Sequence, residues 1–312
     1  MRVAIIDLGT NTCNLLVAET NNTEFTILHQ SKQLVKLGDN KIKDNEISQE
    51  ATSRALESFC IHKEIIEKFN VDKVKVLATS AVRTAENKIQ FLETLGEHSG
   101  WIIKLISGEK EAELIFKGVL LAVEHFENPS VILDIGGGSN ELISAFQQDL
   151  LWKESKPTGM ARVINQYHLS DPINVSEIKL LQKFFSAAHS EAFQKCRSEN
   201  VKILMGCSGA FDTIADIIDS VNPGEKQRKT QNIALTDFYD VYQRLLKTTR
   251  DERLLMKGMD FVRVDLIVPA VILIEQIISE IGIEKITQTD FALREGVLYD
   301  IIKSGSQVIP VN

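Results

Sequence analysis

The stretch VILDIGGGSNELISAF, residues 131–146, decides the fold of the second half of the chain. Its apolar run ends at Asp134, three glycines follow, and ELISAF then alternates its side chains between two faces as a short strand does. A Walker loop or a dinucleotide motif would open a helix after the glycines, and the stretch lacks both Gly-Lys-Ser/Thr and the third spaced glycine. The pattern therefore predicts a β-hairpin whose tip carries Gly136, Gly137, Gly138 and Ser139.

Three consecutive glycines at a hairpin tip predict a particular backbone. Glycine reaches positive φ angles without strain and lets a ligand come close to the main chain. Successive N–H groups in such a turn form a concave site for an anion. A tight turn without a ligand is the alternative, and the Asp before the glycines and the Ser after them favour a phosphate group.

The N-terminus repeats this pattern in VAIIDLGTNTCNLLVAE, residues 3–19. The aspartates Asp7 and Asp134 correspond, and so do the first glycines of the two loops, Gly9 and Gly136. One copy opens each half of the chain. The repeat therefore predicts two similar domains that face each other across a cleft, each with a loop that offers N–H donors and a carboxylate.

Apolar spacing along the chain predicts the order βββαβαβα in the first half, which is an α/β layout. The second half begins with the repeated hairpin and continues mostly in helices. The boundary is predicted near ENPS, residues 127–130, which gives domains 1–126 and 127–312. The last helix, FALREGVLYDIIK, could pack back on the first domain. Residues 222–232 are interpreted as a mobile basic loop.

An acid beside a phosphate loop predicts a metal ion. Carboxylate and phosphate repel each other, whereas a hard divalent cation such as Mg²⁺ bridges them. Asp134 and Glu141 flank the glycines and are the candidate ligands, and Asp7 is the candidate in the first copy. An Asx contact in the turn is the alternative for Asp134, and a solvated strand residue is the alternative for Glu141.

Composition narrows the class of protein. The 312 residues include 35 basic and 43 acidic residues, for a net charge of −8, which disfavours a nucleic-acid partner. The four cysteines form no C-x-x-C pair, so reduced thiols in the cytoplasm are expected. The chain starts directly in a strand rather than in a secretory signal. Its most apolar stretch, LIVPAVILIEQII, is too short and too interrupted to predict a membrane span.

Six stretches together resemble the exopolyphosphatase / guanosine pentaphosphate phosphatase family in its short two-domain form. They are IDLGTNTCNLLVAE, ATSAVRTAEN, ISGEKEAELIFKGV, LDIGGGSNELI, MGCSGAFDTI and LREGVLYD, and they run in family order along nearly the whole chain. The resemblance implies two ribonuclease-H-like domains of the actin-like ATPase superfamily around a cleft. It also implies release of terminal phosphate from inorganic polyphosphate or from guanosine pentaphosphate. Asn140, where many relatives have Thr, and CSGAF depart from the family pattern.

The resemblance singles out two catalytic residues. Glu111, in ISGEKEAE, is predicted to be the general base that accepts a proton from the attacking water. An acid in the first turn of a helix is more often a cap, and that alternative stays open. Arg83 is predicted to neutralise charge on the phosphoryl group that is transferred, with a surface ion pair as the alternative.

Further residues are predicted to bind phosphate through small or polar groups. A helix N-terminus after a strand, as in GCSG, is a common anion site, although a plain loop is nearly as probable. A run of basic residues from Lys226 to Arg263 could line a path for a polyanion, against the alternative of a solvated face. The predicted phosphate-binding residues are Gly9, Thr10, Asn11, Gly136, Gly137, Gly138, Ser139, Ser208 and Gly209.

The function predicted from these residues is an exopolyphosphatase that uses Mg²⁺ and water. Guanosine pentaphosphate is the alternative substrate. A small-molecule kinase and a non-catalytic sensor of polyphosphate or nucleotide are the alternatives from other classes. No nucleic-acid or membrane partner is expected, and a homodimer is left open.

Overall fold

The computed structural model of the chain describes residues 1–21, 23–38 and 45–305. Contacts within the chain divide it into two compact units. The first unit comprises Met1–Leu121 and the residues from Leu293 onward, and the second unit comprises Ala122–Ala292.

The strands and helices follow the α/β layout that the sequence predicts. The strands are β1 (Arg2–Leu8), β2 (Thr12–Thr20), β3 (Phe25–Leu34), β4 (Lys73–Ala78), β5 (Ile103–Leu105), β6 (Phe126–Ile135), β7 (Asn140–Gln147), β8 (Asp149–Lys156), β9 (Ile203–Cys207), β10 (Gln231–Ile233) and β11 (Lys285–Thr289). The helices are α1 (Gln49–Lys68), α2 (Ser80–Thr84), α3 (Lys88–Ser99), α4 (Gly108–Val123), α5 (Met160–Tyr167), α6 (Val175–Ala188), α7 (Ser190–Ser198), α8 (Gly209–Asp219), α9 (Leu235–Lys247), α10 (Arg250–Leu254), α11 (Ile267–Ile281) and α12 (Leu293–Gly305).

The first unit is built on a five-stranded sheet in the order β3-β2-β1-β4-β5. β1 pairs antiparallel with β2 and parallel with β4, so it lies at the centre of the sheet. Its residues Val3, Ala4, Ile5, Ile6 and Leu8 are all fully buried. A near-continuous apolar run is what a strand covered on both faces requires.

The second unit repeats this arrangement. Its six-stranded sheet has the order β10-β11-β9-β6-β7-β8, so β6 takes the place of β1, and β7 and β9 flank it as β2 and β4 flank β1. β6 is likewise antiparallel to β7 and parallel to β9. The predicted α/β class with two similar ribonuclease-H-like sheets is confirmed. That the two units enclose a common cleft stays a prediction.

Both predicted hairpins are present. The last paired residues are Leu8 and Cys13 in the first unit and Ile135 and Asn140 in the second, which leaves four-residue loops. We call residues 9–12 the first hairpin loop and residues 136–139 the glycine loop. Positive φ angles were expected here and are absent at the first glycine of each loop, so that expectation was wrong for Gly9 and Gly136. These positions require glycine for reasons of space, as shown below.

The boundary between the two units lies between Leu121 and Ala122, five residues before the predicted one. The predicted boundary between residues 126 and 127 falls inside β6, where Pro129 sits in an irregular stretch of pairing between Phe126 and Ser130. Proline and glycine in a strand mark such irregularities as well as linkers, so ENPS was ambiguous. α12 packs against β1 and β2 of the first unit. Among the described residues, no helix combines the length and apolar character needed to cross a bilayer.

Candidate functional site

The two hairpin loops are closed by the same hydrogen bond. Gly9 N donates to Thr12 O over 2.9 Å, and Gly136 N donates to Ser139 O over 3.0 Å. A Cβ atom at Gly136 would lie 2.7 Å from that oxygen, and one at Gly9 would lie 3.1 Å from its counterpart. Glycine is therefore needed in each loop to let the chain turn back on its own carbonyl group, more strictly in the second unit.

The first hairpin loop has its carbonyl groups occupied and two N–H groups free. Thr10 O accepts a hydrogen bond from Leu37 N over 2.7 Å, and Asn11 O accepts one from Val35 N over 2.9 Å. Within the part of the chain that the structure describes, the N–H groups of Thr10 and Asn11 have no acceptor. Two adjacent unpaired donors are a suitable arrangement for an anion.

The glycine loop shows the same division of donors and acceptors. Gly136 O accepts from Met160 N over 3.0 Å, and Gly137 O accepts from Ala161 N over 2.9 Å, so the first turn of α5 holds the loop. Among the described residues, nothing accepts from the N–H groups of Gly137 and Gly138. The middle residues of both loops therefore offer N–H groups, which is the geometry predicted for phosphate binding.

Gly159 makes this contact between α5 and the glycine loop possible. It precedes α5, and a Cβ atom there would lie 2.4 Å from the carbonyl carbon of Gly137 and 2.5 Å from that of Gly138. Arg162 adds a side-chain contact, since its Nε donates to Gly138 O over 2.9 Å. Gly159 was not predicted from the sequence, because its partners Gly137 and Gly138 lie more than twenty residues before it.

Ser208 and Gly209 lie beside the end of β6, and each already makes a structural contact there. Ser208 Oγ accepts from Ile135 N over 3.2 Å and contacts Ile135 O over 3.3 Å. Its φ of 77° and ψ of 169° are strained for a residue with a side chain. A Cβ atom at Gly209 would lie 2.4 Å from Arg263 Nε, so Gly209 is needed to seat that guanidinium.

Arg263 was not among the predicted site residues. Its half-buried guanidinium lines a small pocket together with Ile135 and Met160. Within the described residues, its side chain makes no hydrogen bond or ion pair. Because Ile135 and Met160 directly flank the glycine loop and its supporting helix, Arg263 is a cation available near the loop. Only its place in a basic run signalled it in the sequence.

The other basic residues of that run do not form an open path. Arg228 is buried and bonded to Asp216 over 2.7 Å and to Asp219 over 2.8 Å. These ion pairs tie Arg228 to α8, and the interpretation of residues 222–232 as a mobile loop stays a prediction. The remaining members are paired as well: Lys226 with Asp219, Lys229 with Glu124, Arg250 with Asp265, Arg253 with Asp171 and Lys257 with Asn222.

The predicted metal ligands Asp134 and Glu141 face each other across β6 and β7. Directly opposed residues of an antiparallel pair share one face of the sheet. Glu141 is buried, and its Oε1 accepts from Ser155 Oγ over 2.7 Å. Among the described residues, no group of three or more His, Cys, Asp or Glu side chains is arranged for a metal. Mg²⁺ commonly takes only one or two carboxylates and completes its shell with water and phosphate, so this pair fits it.

The equivalent pair in the first unit has different chemistry. Asp7 is opposed by Asn14, whose Nδ2 donates to Asp7 Oδ2 over 3.2 Å. Burial raises the pKa of Asp7 from 3.8 to about 6, Arg294 opposes that rise, and Glu295 adds to it. One carboxylate with an amide partner is a weaker cation site than two carboxylates.

Arg294 and Glu295 begin α12 and were not predicted as site residues. Arg294 Nη1 donates to Leu15 O over 3.2 Å, and Glu295 is fully buried. Their motif, LREGVLYD, lies at the far end of the chain, and only the return of α12 to the first unit brings it beside Asp7.

The predicted catalytic residues Arg83 and Glu111 lie together in the first unit. Arg83 Nη1 donates to Glu111 Oε2 over 2.9 Å and to Ile106 O over 3.1 Å. Glu111 is only 8% exposed. Ser107 Oγ accepts from Lys110 N at the start of α4, so Ser107 caps this helix, and a favourable interaction of Glu111 with the helix dipole stays open. The ion-pair alternative for Arg83 is correct in part, since its partner is the predicted base itself.

The neighbouring acids are poorer candidates for a general base. Glu113 accepts from Lys117 and Lys110; burial alone would raise its pKa, but these bonds prevail and lower it to about 2. A carboxylate held so far below neutral pH is a weak proton acceptor. Glu109 is exposed in the first turn of α4. Glu111 is therefore the acid of ISGEKEAE whose position and burial best suit the role.

Several known proteins are similar to this chain over nearly its whole length. Exopolyphosphatase 2 of Mycobacterium tuberculosis is 25% identical over 95% of this chain and 97% of its own length. The crystal structure of an exopolyphosphatase from Cytophaga hutchinsonii has a TM-score of 0.93 and 32% identity, covering 97% of this chain and 98% of that one. An Aquifex aeolicus member of the Ppx/GppA family shares the fold, with a TM-score of 0.82 and 21% identity over 98% and 99% of the two chains. Residues 16–305 match the Ppx/GppA phosphatase family, and the chain belongs to that family.

Proposed function

We propose that this protein is an exopolyphosphatase, which releases terminal orthophosphate from inorganic polyphosphate by attack of water. The observation that carries the proposal is the ion pair of the half-buried Arg83 with the buried Glu111, in the same unit as a loop whose Thr10 and Asn11 N–H groups have no acceptor among the described residues. Proteins named exopolyphosphatases resemble this chain over nearly its whole length, which supports polyphosphate as the substrate.

The hairpin loops would bind the substrate. In the proposal, the N–H groups of Thr10 and Asn11 donate to phosphoryl oxygens, and those of Gly137 and Gly138 do the same in the second unit. Backbone donors suit a polymer of identical phosphates, because they recognise oxygen atoms and no base or sugar. Ser139, Ser208 and Gly209 are proposed as secondary contacts.

Glu111 would act on the water. Its carboxylate accepts one proton from the water as the water oxygen bonds to the terminal phosphorus. The bond from that phosphorus to the bridging oxygen breaks, and its electron pair stays on the shortened polyphosphate. Arg83 keeps Glu111 oriented and offers its other N–H groups to the terminal phosphoryl group.

Asp134 and Glu141 are proposed to hold a divalent cation such as Mg²⁺, with Asp7 as a separate candidate in the first unit. When bound, the cation would neutralise part of the charge on the phosphate oxygens. Ser155 would support it by orienting Glu141, whose Oε1 it contacts over 2.7 Å.

The experiment that tests the function compares phosphate release from long polyphosphate, short polyphosphate and guanosine pentaphosphate, each with and without Mg²⁺. We expect release from polyphosphate without any acceptor alcohol. Faster release from guanosine pentaphosphate would mean that this nucleotide, rather than polyphosphate, is the preferred substrate. Transfer only to an added acceptor would indicate a kinase, and tight binding without release would indicate a sensor.

Glu111→Gln tests the mechanism in the same assay. The amide keeps the shape and cannot take the proton, so phosphate release should fall by about 10²–10⁴-fold, the range of general-base catalysis. Circular dichroism and thermal unfolding should remain close to those of the wild type. Glu113→Gln is the matched control on the same helix, and its activity should stay near that of the wild type. Retained turnover in Glu111→Gln would remove Glu111 from this role.

A further inference from the structure

A buried chain of hydrogen bonds leads from the glycine loop into the second unit. Asn140, which directly follows the loop, donates from Nδ2 to Thr158 O over 2.7 Å and to Thr158 Oγ1 over 3.0 Å. Thr158 Oγ1 contacts His189 Nε2 over 3.1 Å, and His189 Nδ1 contacts Glu154 Oε1 over 2.6 Å. We call these four residues the relay.

The relay is buried and joins three segments: the start of β7, the end of β8 with the turn after it, and the junction of α6 and α7. Asn140 and His189 are 0% exposed, Thr158 is 5% exposed and Glu154 is 7% exposed. His189 lies between α6 and α7, and its backbone is held at both ends, by Phe185 O and by Phe193 N. Buried hydrogen bonds of this kind are strong and restrict the side chains that make them to one arrangement.

The directions of the bonds follow from the chemistry of the groups. The Glu154 carboxylate can only accept, so His189 Nδ1 carries a hydrogen and donates it. Nε2 can then accept the hydroxyl hydrogen of Thr158, which leaves the Thr158 oxygen free to accept from Asn140 Nδ2. Every contact is satisfied by this one tautomer, assigned from the network.

The far end of the relay holds the phosphate-binding backbone in two ways. Asn140 is the residue that closes the glycine loop opposite Ile135. Thr158 is followed by Gly159, which packs directly on Gly137 and Gly138. Within the described residues, Asn140 Oδ1 has no hydrogen-bond partner, so the amide of Asn140 is oriented by Thr158 alone.

We propose that His189 is a positioning residue: acting through Thr158, it fixes the glycine loop in the conformation that binds phosphate. Breaking the relay leaves the reacting groups Glu111 and Arg83 unchanged and loosens the loop. The inference rests on the proposed function, since it assigns the glycine loop to substrate binding.

Thr158→Val breaks the relay with little change in shape, and Thr158→Ser keeps the hydroxyl group. In Thr158→Val we expect the KM for long polyphosphate to rise about tenfold with kcat little changed, because the lost contacts hold substrate rather than the reacting atoms. Thr158→Ser should restore most of the loss. Thr20→Val, a buried threonine of the first unit whose Oγ1 bonds Glu24 O, is the matched control and should keep the wild-type KM.

Several results would overturn the inference. They are a wild-type KM in Thr158→Val, an equal loss in Thr158→Ser, or an equal loss in Thr20→Val, which would indicate a general effect on stability. If Thr158→Val does not fold, His189→Gln replaces it, since it also separates Thr158 from Glu154, and a wild-type KM in that variant would count against the proposal in the same way.

The coupling between the glycine loop and the relay can also be tested in the wild-type protein. Linkage requires that phosphate bound at the loop perturb the relay as the relay perturbs the loop. In NMR spectra, inorganic tripolyphosphate should shift the amide signals of Gly137 and Gly138 and also the Nδ1–H signal of His189. Shifts at the glycines with none at His189 would reject the relay, whereas no shift at the glycines would reject the proposed function instead.

Discussion

The first hairpin loop and the glycine loop share a backbone and differ in what surrounds it. Both are closed by one hydrogen bond from their first glycine, and in both the N–H groups of the middle residues have no acceptor in the described part of the chain. Their carbonyl groups, however, are held by the segment after β3 in the first unit and by α5 in the second. The repeat therefore preserves the donors that face a ligand and leaves the supporting side free to vary.

The acids next to the loops differ in the same way. Asp7 is opposed by an amide, Asn14, whereas Asp134 is opposed by a second carboxylate, Glu141. The first loop lies beside a single buried aspartate, whose charge Arg294 partly offsets, and the second lies beside a pair of carboxylates. In the proposal both loops bind phosphate, and this difference assigns the cation to the second copy.

The largest expected difference between the loops comes from adding one methyl group. Gly136→Ala would bring Cβ within 2.7 Å of a backbone oxygen, and Gly9→Ala would bring it within 3.1 Å. The first change must displace the loop, so phosphate release should fall by about 10²-fold, the cost of a small misplacement in an active site. Gly9→Ala should cost clearly less. Equal losses in steady-state kinetics would mean that space in the two loops is equally restricted.

A second test concerns the cation. Glu141→Gln removes one charge from the carboxylate pair, and we expect the Mg²⁺ concentration for half-maximal activity to rise about tenfold or more. The counterpart in the first unit, Asn14→Ala, should leave that concentration unchanged. A matching rise in Asn14→Ala would indicate that the cation contacts Asp7, and the two copies would then not differ in cation binding.

The smallest effect concerns stability rather than turnover. The pKa of Asp7 is raised from 3.8 to about 6, so ionised Asp7 destabilises the folded state above pH 6, and this cost disappears below pH 3.8. Asp7→Asn should therefore be more stable than the wild type at pH 7 to 8, by at most about 3 kcal/mol. The advantage should shrink as the pH falls from 6 to 4. Urea unfolding across that range measures it, and a constant difference would contradict the raised pKa.

Local patterns predicted a large part of this molecule. Both hairpins, their equivalence and the aspartate before each loop follow from strand alternation and glycine placement within about fifteen residues. The positive φ angles were wrong at Gly9 and Gly136, because a glycine can be required by a carbonyl oxygen three residues away as well as by its own backbone angle. The basic run was misread for a related reason, since charge in a sequence does not reveal the carboxylate that pairs with it.

The sequence by itself determined the two loops, the acids that flank them, and the choice of Glu111 and Arg83, since each depends on short-range order or on a motif kept whole. Tertiary structure alone decided that Arg83 contacts Glu111, that Arg263 rests on Gly209, that α12 returns beside Asp7, and that His189 reaches the glycine loop through Thr158. The residues brought together are between 28 positions apart, as for Arg83 and Glu111, and 287 positions apart, as for Asp7 and Arg294. The packing of helices on a sheet brings these distant residues into contact, and the periodicity of the sequence carries no information about such contacts.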